Sequence, residues 1–560
     1  MRRLRVSLLL AGVVLVVSVS SSHSQYFPQH RWSHRAGDTG TDAANAVAVD
    51  LGGRPIVVGS FEGTIDLGGG LLASAGSSDV FVVRYDSDGN PLWSKRLGGS
   101  AADVAHGVTV QQISLGGGNW TWEFTITGSF ENTVNFGGDD LVSAGGSDGF
   151  VVRLDTNGNH MWSSRFGDIG NDVGRAVELT ASHIATITGA FADRQLGTTD
   201  VFLARYDNTG AQTWAHSYGG PLDDVGRSIS GGIITGEFRD TASFGGAPLV
   251  SAGGSDIFVA AYDGAGTHLW SKQFGGTQDD AGLSIFSWTQ PSPGSSFCTG
   301  YFRSTVNFGG GNLVSVGGED IFLLKLDPNG VHQYSRRYGG PGNDAGTGVT
   351  LSSSNGDIEL AGRFENTVNF GLNKLTSAGG SDGFLSLFTD TGTNRRNVRM
   401  GGSGNEVING ISDFHYLYIS SGFDVAVAGA FRNTIDLGGG PLVSAGGDDA
   451  FVVHYHETWL TPVWRALPTE LTISNYPNPF NPATTVRYVV PTEGLVNVAV
   501  YSVSGERVAT LVNNRHHVAG PHEVQWHGLS DSGEPVASGV YFAQVEHAGV
   551  KQTARLVMLK

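Results

Sequence analysis

A chain of 560 residues with a formal net charge of −18 argues against nucleic acid and anionic lipid as partners, both of which call for a basic face. Its 84 glycines and 15% charged residues suggest low complexity, but 39% hydrophobic and 10% aromatic residues point to a packed β protein with its glycines phased into turns. The lone cysteine, Cys298, excludes an internal disulfide and reads, within SSFCTGYF, as a small buried apolar residue rather than a reactive thiol.

In chain order, residues 1–24 combine Arg2, Arg3 and Arg5 with an apolar run over 6–19 and small residues at Ser22 and Ser24. This is the pattern of a secretory signal peptide cleaved before Gln25. The run is too short for a spanning helix, and no later segment reaches that length.

From residue 25 to 459 one unit recurs. G-x-F ends a hydrophobic run at Phe61, Phe130, Phe191, Phe238, Phe302, Phe364 and Phe431. D-x-F opens the next at Asp79, Asp148, Asp200, Asp256, Asp320, Asp382 and Asp449, a period of about 62 residues over six steps. W-S-x-x-x-G-G begins at Trp32, Trp93, Trp162, Trp214 and Trp270, degenerating to Tyr334 and Arg396. Ten positions after each stands an acid: Asp42, Asp103, Asp172, Asp224, Asp280, Asp344 and Glu406.

Each copy predicts four strands, in the second copy residues 107–112, 122–130, 149–154 and 160–166. D-x-x-G turns join the last two strands, Gly supplying positive φ and Asp capping the turn. No helical period is sustained. Seven such units predict a seven-bladed β-propeller, which protects its sheet edges by radial repetition. The chain enters with a fourth-strand motif at 30–36 and leaves with a third strand at 451–455, so the first strand is expected to close the last blade.

Three copies carry long connections between first and second strands: 111–123 with Trp120 and Trp122, 287–297 with Trp288, and 413–424 with Phe414, Tyr416 and Tyr418. Trp120, Trp122, Trp288, Tyr416 and Tyr418 are candidate ligand-stacking residues on one face, against the alternative that they cover blade ends. The third copy lacks the F-G-G-x-x-L-V-S-A-G-G-S connection, which predicts a notch on the opposite face. Residues 460–470 read as a linker, and 471–560 carry about seven short strands fitting an immunoglobulin-type sandwich.

The repeat TGxFxxTVxFGGxxLxSAGGSDxFVxxYDxxGxxxWSxxxGG resembles the bacterial β-propeller repeat called SBBP. The C-terminal stretches YPNPFNPATTVRY, VYSVSGERVATL and DSGEPVASGVYFAQV resemble the Ig-like domain of the flagellar hook-capping protein and the C-terminal sorting domain of type IX (Por) secretion. That resemblance implies export across both membranes, with the tail read by the secretion machinery, and a secreted or cell-surface location in a bacterium.

The seven acids Asp42 to Glu406 precede the innermost strands. A carboxylate ring could bind a cation such as Ca²⁺, but evenly spaced acids rarely converge on one ion, and an Asp before a strand more often caps its own turn. DSDGN at 86–90 opens like a calcium loop but lacks the distal Glu. No catalytic motif or ligand-spaced histidine pair is present, so no cofactor is expected. The expected function is a non-catalytic, monomeric binding or adhesion scaffold for a glycan or surface protein. The alternative is a polysaccharide hydrolase or lyase with its carboxylates at the channel mouth.

Overall fold

The computed structural model describes residues 27–116, 119–180, 182–192, 197–288, 294–352, 356–415, 422–458, 471–492, 494–517 and 520–559. The leader at 1–24, the linker at 460–470, Tyr416 and Tyr418 lie outside the described residues. The chain divides into two compact units, Met1–Trp459 and Leu460–Lys560. All regular structure among the described residues is strand, and none of it is a helix long and apolar enough to cross a membrane.

Within the first unit the described strands form seven four-stranded antiparallel arrays, the sixth extended by a small ribbon. The first strands of sheets one to seven are Ala43–Val49, Asp103–Gly116, Val173–Leu179, Val225–Ser230, Ala281–Ser287, Ala345–Leu351 and Glu406–His415. Each lies beside the first strand of the next sheet, and Ala43–Val49 touches both Asp103–Gly116 and Glu406–His415, so the cycle closes. The orphan strand Phe27–Ala36 pairs antiparallel with Asp449–Thr458 and completes the seventh sheet. In the second copy the strands run longer than the hydrophobic runs indicate, as Asp103–Gly116, Asn119–Val134, Leu141–Leu154 and His160–Phe166. The extension arises because the F-G-G connection continues the ladder as a projecting ribbon, Val134 opposite Leu141.

Two repeated pairs explain why the sequence keeps its landmarks. The indole of Trp32 lies on the next sheet's turn and donates to Ser87 O at 3.0 Å; Trp93 and Trp270 donate to Thr156 O and Pro328 O at 3.1 and 3.0 Å. A Cβ on Gly89 would meet the Trp32 ring at 2.6 Å, and Gly89 has φ +87°, so two constraints fix one glycine. The ribbon phenylalanines pack over those of D-x-F, Phe136 on Phe150 at 4.6 Å and Phe244 on Phe258 at 4.3 Å between ring centroids. Sheet three has no such ribbon among its described residues. There Phe202 stacks on Phe166 and Phe191 instead, beside an opening of about 380 Å³ that matches the expected notch.

Every first strand carries a bulge at one register position, which leaves Asn45, His106, Arg175, Arg227, Leu283, Thr347 and Asn409 unpaired in the ladder. Segments containing all seven line an axial channel of about 300 Å³.

The second unit packs a three-stranded sheet, Thr472–Tyr476, Thr484–Val490 and Gly520–Trp526, with a four-stranded one, Gly494–Ser502, Arg507–His517, Gly539–His547 and Val550–Met558. Val486, Tyr488 and Val490 meet Val496, Val498, Val500, Ala543 and Val545 in one buried core. His516 and His517 lie at the end of a strand, opposite Leu495 and Gly494.

Candidate functional site

The seven acids are all fully buried. Asp42, Asp172, Asp224, Asp280 and Asp344 each use both oxygens on the backbone, at 2.7–3.1 Å. One oxygen takes the N–H four residues upstream; the other takes the N–H that follows G-x-F. Asp103 and Glu406 take the upstream N–H of Gly99 and Gly402, at 2.6 and 3.2 Å. Five of the acids therefore tie their own turn to the neighbouring strand, while Asp103 and Glu406 hold the turn alone. Among the described residues no group of three or more His, Cys, Asp or Glu is arranged to hold a metal ion.

These carboxyls face the D-x-F aspartates of the preceding sheet across the G-G turn. A Cβ on Gly98 would sit 2.0 Å from Asp79 Oδ1 and 2.8 Å from Asp103 Oδ2. Fourth-strand arginines answer the aspartates in five sheets: Arg35, Arg96, Arg165, Arg337 and Arg399 pair with Asp449, Asp79, Asp148, Asp320 and Asp382. Burial is the largest cause of shift. It pushes Asp42, Asp224, Asp280, Asp344 and Glu406 up to about 7, Asp103 to about 6, and Asp172 upward. The turn aspartate of DSDGN, Asp86, is occupied by the N–H groups of Asp88 and Asn90 at 2.9 and 2.8 Å.

The aromatic candidates separate. Trp120 is 56% exposed. Trp122 is not a surface residue: it packs in the core with Phe124 and Trp93, with the Arg54 guanidinium over its ring. Strand alternation explains the split, since residues two apart share a face and the apolar set Trp122, Phe124 and Ile126 points inward. Trp288 is half-buried, near Gly356 of the next sheet.

A different set of residues forms the main concavity. Between sheets three and four a cleft of about 630 Å³ is lined by Glu178, Arg205, Trp214, Tyr262 and Asp263, with Thr109 and Ser287 at its flanks. That volume lies in the range of small-ligand sites. Val177, Ile229 and Ser230 line both the cleft and the axial channel, so the cleft is the channel's mouth on the side of the first-to-second-strand turns. It opens because sheet four makes that turn with only Gly231 and Gly232.

Glu178 occupies the first-strand position that is Ala48, Thr109, Ser230, Phe286, Thr350 and Ser412 elsewhere. Its oxygens accept the Gly232 N–H at 3.2 and 3.3 Å, and burial raises its pKa against the lowering effects of that bond and of Arg205. Arg205 corresponds to Arg84, which donates to Asp50 Oδ2 at 2.7 Å and to Thr156 O at 2.8 Å. In sheet three Thr180 stands for Asp50 and Gly264 for Thr156, and the Arg205 guanidinium donates no hydrogen bond among the described residues, its charge acting only at a distance on Glu178 and Asp263. The cleft thus offers a free guanidinium fork, a carboxyl that holds its proton more tightly than usual and the half-buried Trp214 ring. These are groups suited to a polar ring with hydroxyl or acidic substituents.

Neither Glu178, Arg205 nor Arg175 was singled out in the sequence. The signal was available for Glu178, whose position departs from all its counterparts; Arg205 keeps the arginine of Arg84 and Arg153, and it is its partners that depart, Thr180 for Asp50 and Gly264 for Thr156.

No known protein family matches the chain. An uncharacterised WD repeat-containing protein of Acanthamoeba polyphaga mimivirus is 22% identical over 157 residues, covering 26% of this chain and 11% of that protein. The chain therefore matches only about a tenth of that relative's length. Among solved structures, PorZ, a bacterial surface component of the type-IX secretion system of Porphyromonas gingivalis, is 11% identical with 94% and 100% of the two chains covered and a TM-score of 0.21. A family 43 arabinoxylan arabinofuranohydrolase from Bacillus subtilis is 11% identical, covering 87% and 92%, TM-score 0.26. Dimeric latent PorU from Porphyromonas gingivalis is 9% identical, covering 96% and 34%, TM-score 0.14.

Proposed function

We propose that the chain is a secreted or cell-surface, non-catalytic binding protein: a seven-bladed β-propeller of SBBP-type repeats that presents the Glu178–Arg205–Trp214 cleft to a glycan. The observation that carries this reading is the division of labour among polar residues. Five of the seven repeated acids place both oxygens on backbone N–H groups, while at the mouth of the channel Glu178 breaks the repeat and the replacements Thr180 and Gly264 take away the partners that Arg205's counterpart Arg84 has. The basic and apolar leader at 1–24 and the C-terminal unit, read as an Ig-like sorting domain, support export and attachment through secretion machinery, with the propeller acting as a monomer.

A polysaccharide hydrolase or lyase is the second reading, and Glu178 is what favours it, because a carboxyl with a raised pKa in a cleft is the form a general acid takes. Among the described residues of the cleft it has no matching base. Asp263 in the same cleft is the ordinary turn aspartate of the repeat, its oxygen bonded to the N–H groups of Ala265 and Thr267 at 2.9 and 2.8 Å.

The test is retention of the purified full chain on immobilised neutral and uronic-acid-bearing polysaccharides, with the flow-through assayed for released sugar. Retention without release supports the binding reading; release of product from any of them overturns it in favour of catalysis.

A further inference from the structure

We infer that the axial channel is an oxyanion site, in which Arg175 grips the anion between His106 and Arg227. The inference stands apart from the glycan reading, because it rests on the bulge residues inside the channel and not on the cleft at its mouth.

The argument begins with what the bulge position does elsewhere in the ring. Asn45 Nδ2 donates to Ala105 O at 2.9 Å, Asn409 Nδ2 to Ala44 O at 3.1 Å, and Thr347 Oγ1 to Ile408 O at 2.5 Å. In each case a short polar side chain staples its strand to the carbonyl of the next sheet. Four sheets lack the staple: sheet five carries the apolar Leu283, and three successive sheets, two to four, carry His106, Arg175 and Arg227. Their basic groups gather on one arc of a channel only about 300 Å³ in volume.

Like charges at close quarters in a poorly solvated space destabilise each other unless an opposite charge is shared among them. Arg227 has such a charge: its Nε lies 3.0 Å from both oxygens of Glu237 in its own sheet. Arg175 feels the same carboxylate but forms no ion pair with it: its guanidinium donates no hydrogen bond among the described residues, and its Nε is buried without an acceptor. Burial and the neighbouring Arg227 charge pull Arg175 down to about 10, and burial with both arginines holds His106 near 4, so His106 is a neutral donor at ordinary pH. A planar guanidinium fork with an unused buried N–H, flanked by a second guanidinium and an imidazole, matches the oxygens of a carboxylate, sulfate or phosphate. On a chain of net charge −18 this arc is a local inversion of sign.

The shared chemistry, a compact oxyanion, has two sources: a free inorganic ion, or the acidic group of a sugar. Titration of the full chain with sodium sulfate, sodium phosphate and sodium glucuronate, each against sodium chloride of equal ionic strength, distinguishes them by calorimetry and thermal melting. The expected result is saturable binding of at least one anion beyond the chloride control. Arg175→Gln should weaken it at least tenfold without lowering the anion-free melting temperature, and His106→Gln should weaken it by a smaller factor. Arg487→Gln, an exposed arginine of the C-terminal unit, should leave it unchanged. Preference for glucuronate assigns an acidic sugar; preference for sulfate or phosphate assigns an inorganic ion. If Arg175→Gln does not fold, Arg175→Lys keeps the charge without the fork and should bind with intermediate affinity. Responses equal to chloride for all three anions, or binding that survives loss of the Arg175 guanidinium, overturn the inference.

Discussion

On one face of the ring, Asp42, Asp172, Asp224, Asp280 and Asp344 place both carboxylate oxygens on backbone N–H groups, with Asp103 and Glu406 in the same position. Around sheets two to four on the other side, the guanidinium groups of Arg175 and Arg205 donate no hydrogen bond among the described residues, and Glu178 faces a cleft. The same repeat supplies both regions. Where a polar residue recurs in every copy, as the ring acids do, most of its bonds close within the fold. Where one copy departs from the rest, a bonding group is left over and points into a cavity. In a repeat protein, chemistry should be sought in the exceptions.

The largest effect expected of a single change separates packing from surface. Trp122→Ala should cost about 3–5 kcal/mol, because it empties a core site, while the exposed Trp120→Ala should stay within about 0.5 kcal/mol, as read from denaturant midpoints. Equal effects at the two positions would break the assignment of Trp122 to the core.

The acidic face should respond next. Asp280→Ala strands the N–H groups of Gly276 and Arg303 and should cost about 2–3 kcal/mol. Asp280→Asn keeps one acceptor and should cost less. A chelator added to the wild-type protein should leave the melting temperature unmoved, since these oxygens serve the backbone.

A smaller effect follows from pH. Carboxyls whose folded pKa lies at about 6–7, above the unfolded value near 4, bind more protons in the folded state, so their contribution to stability is full at low pH and lost as pH rises through about 7. Histidines held down by burial, such as His106 and His454, act in the opposite sense, but their contribution is complete above about pH 6.5. The melting temperature should therefore fall between pH 6.5 and 8, and Asp280→Asn should flatten that fall. A rise over the same interval would contradict the burial assigned to the ring.

Much of the fold was legible because the repeat states it seven times. The strand phase, the D-x-x-G turns and the closing role of Phe27–Ala36 all follow from the order of landmarks. The capping role of the acids was legible for the same reason, as a strict spacing to a turn. Cys298 is buried as its apolar neighbours suggested, its thiol pushed up to about 12. The cleft was not legible. It depends on a loss, the Gly231–Gly232 turn of sheet four, and on Glu178 and Arg205, which lie 27 positions apart on the first and third strands of sheet three and come together only once that sheet has formed. Nor does a bulge show itself in a hydrophobic pattern: His106 and Arg175 sit beside small residues that read equally well as regular strand. The aromatic loops misled because a long connection with tryptophans looks the same whether it faces solvent or continues a strand into the core, as Trp122 does.

The most direct test of the central claim, that binding belongs to the cleft at which the repeat is broken, is to compare polysaccharide retention by Glu178→Gln/Arg205→Gln with retention by Asp103→Asn, each checked for an unchanged β-sheet circular dichroism spectrum. Retention should fall at least tenfold in the cleft variant and remain at the wild-type level in the ring variant. Loss in Asp103→Asn with binding intact in the cleft variant would contradict the account.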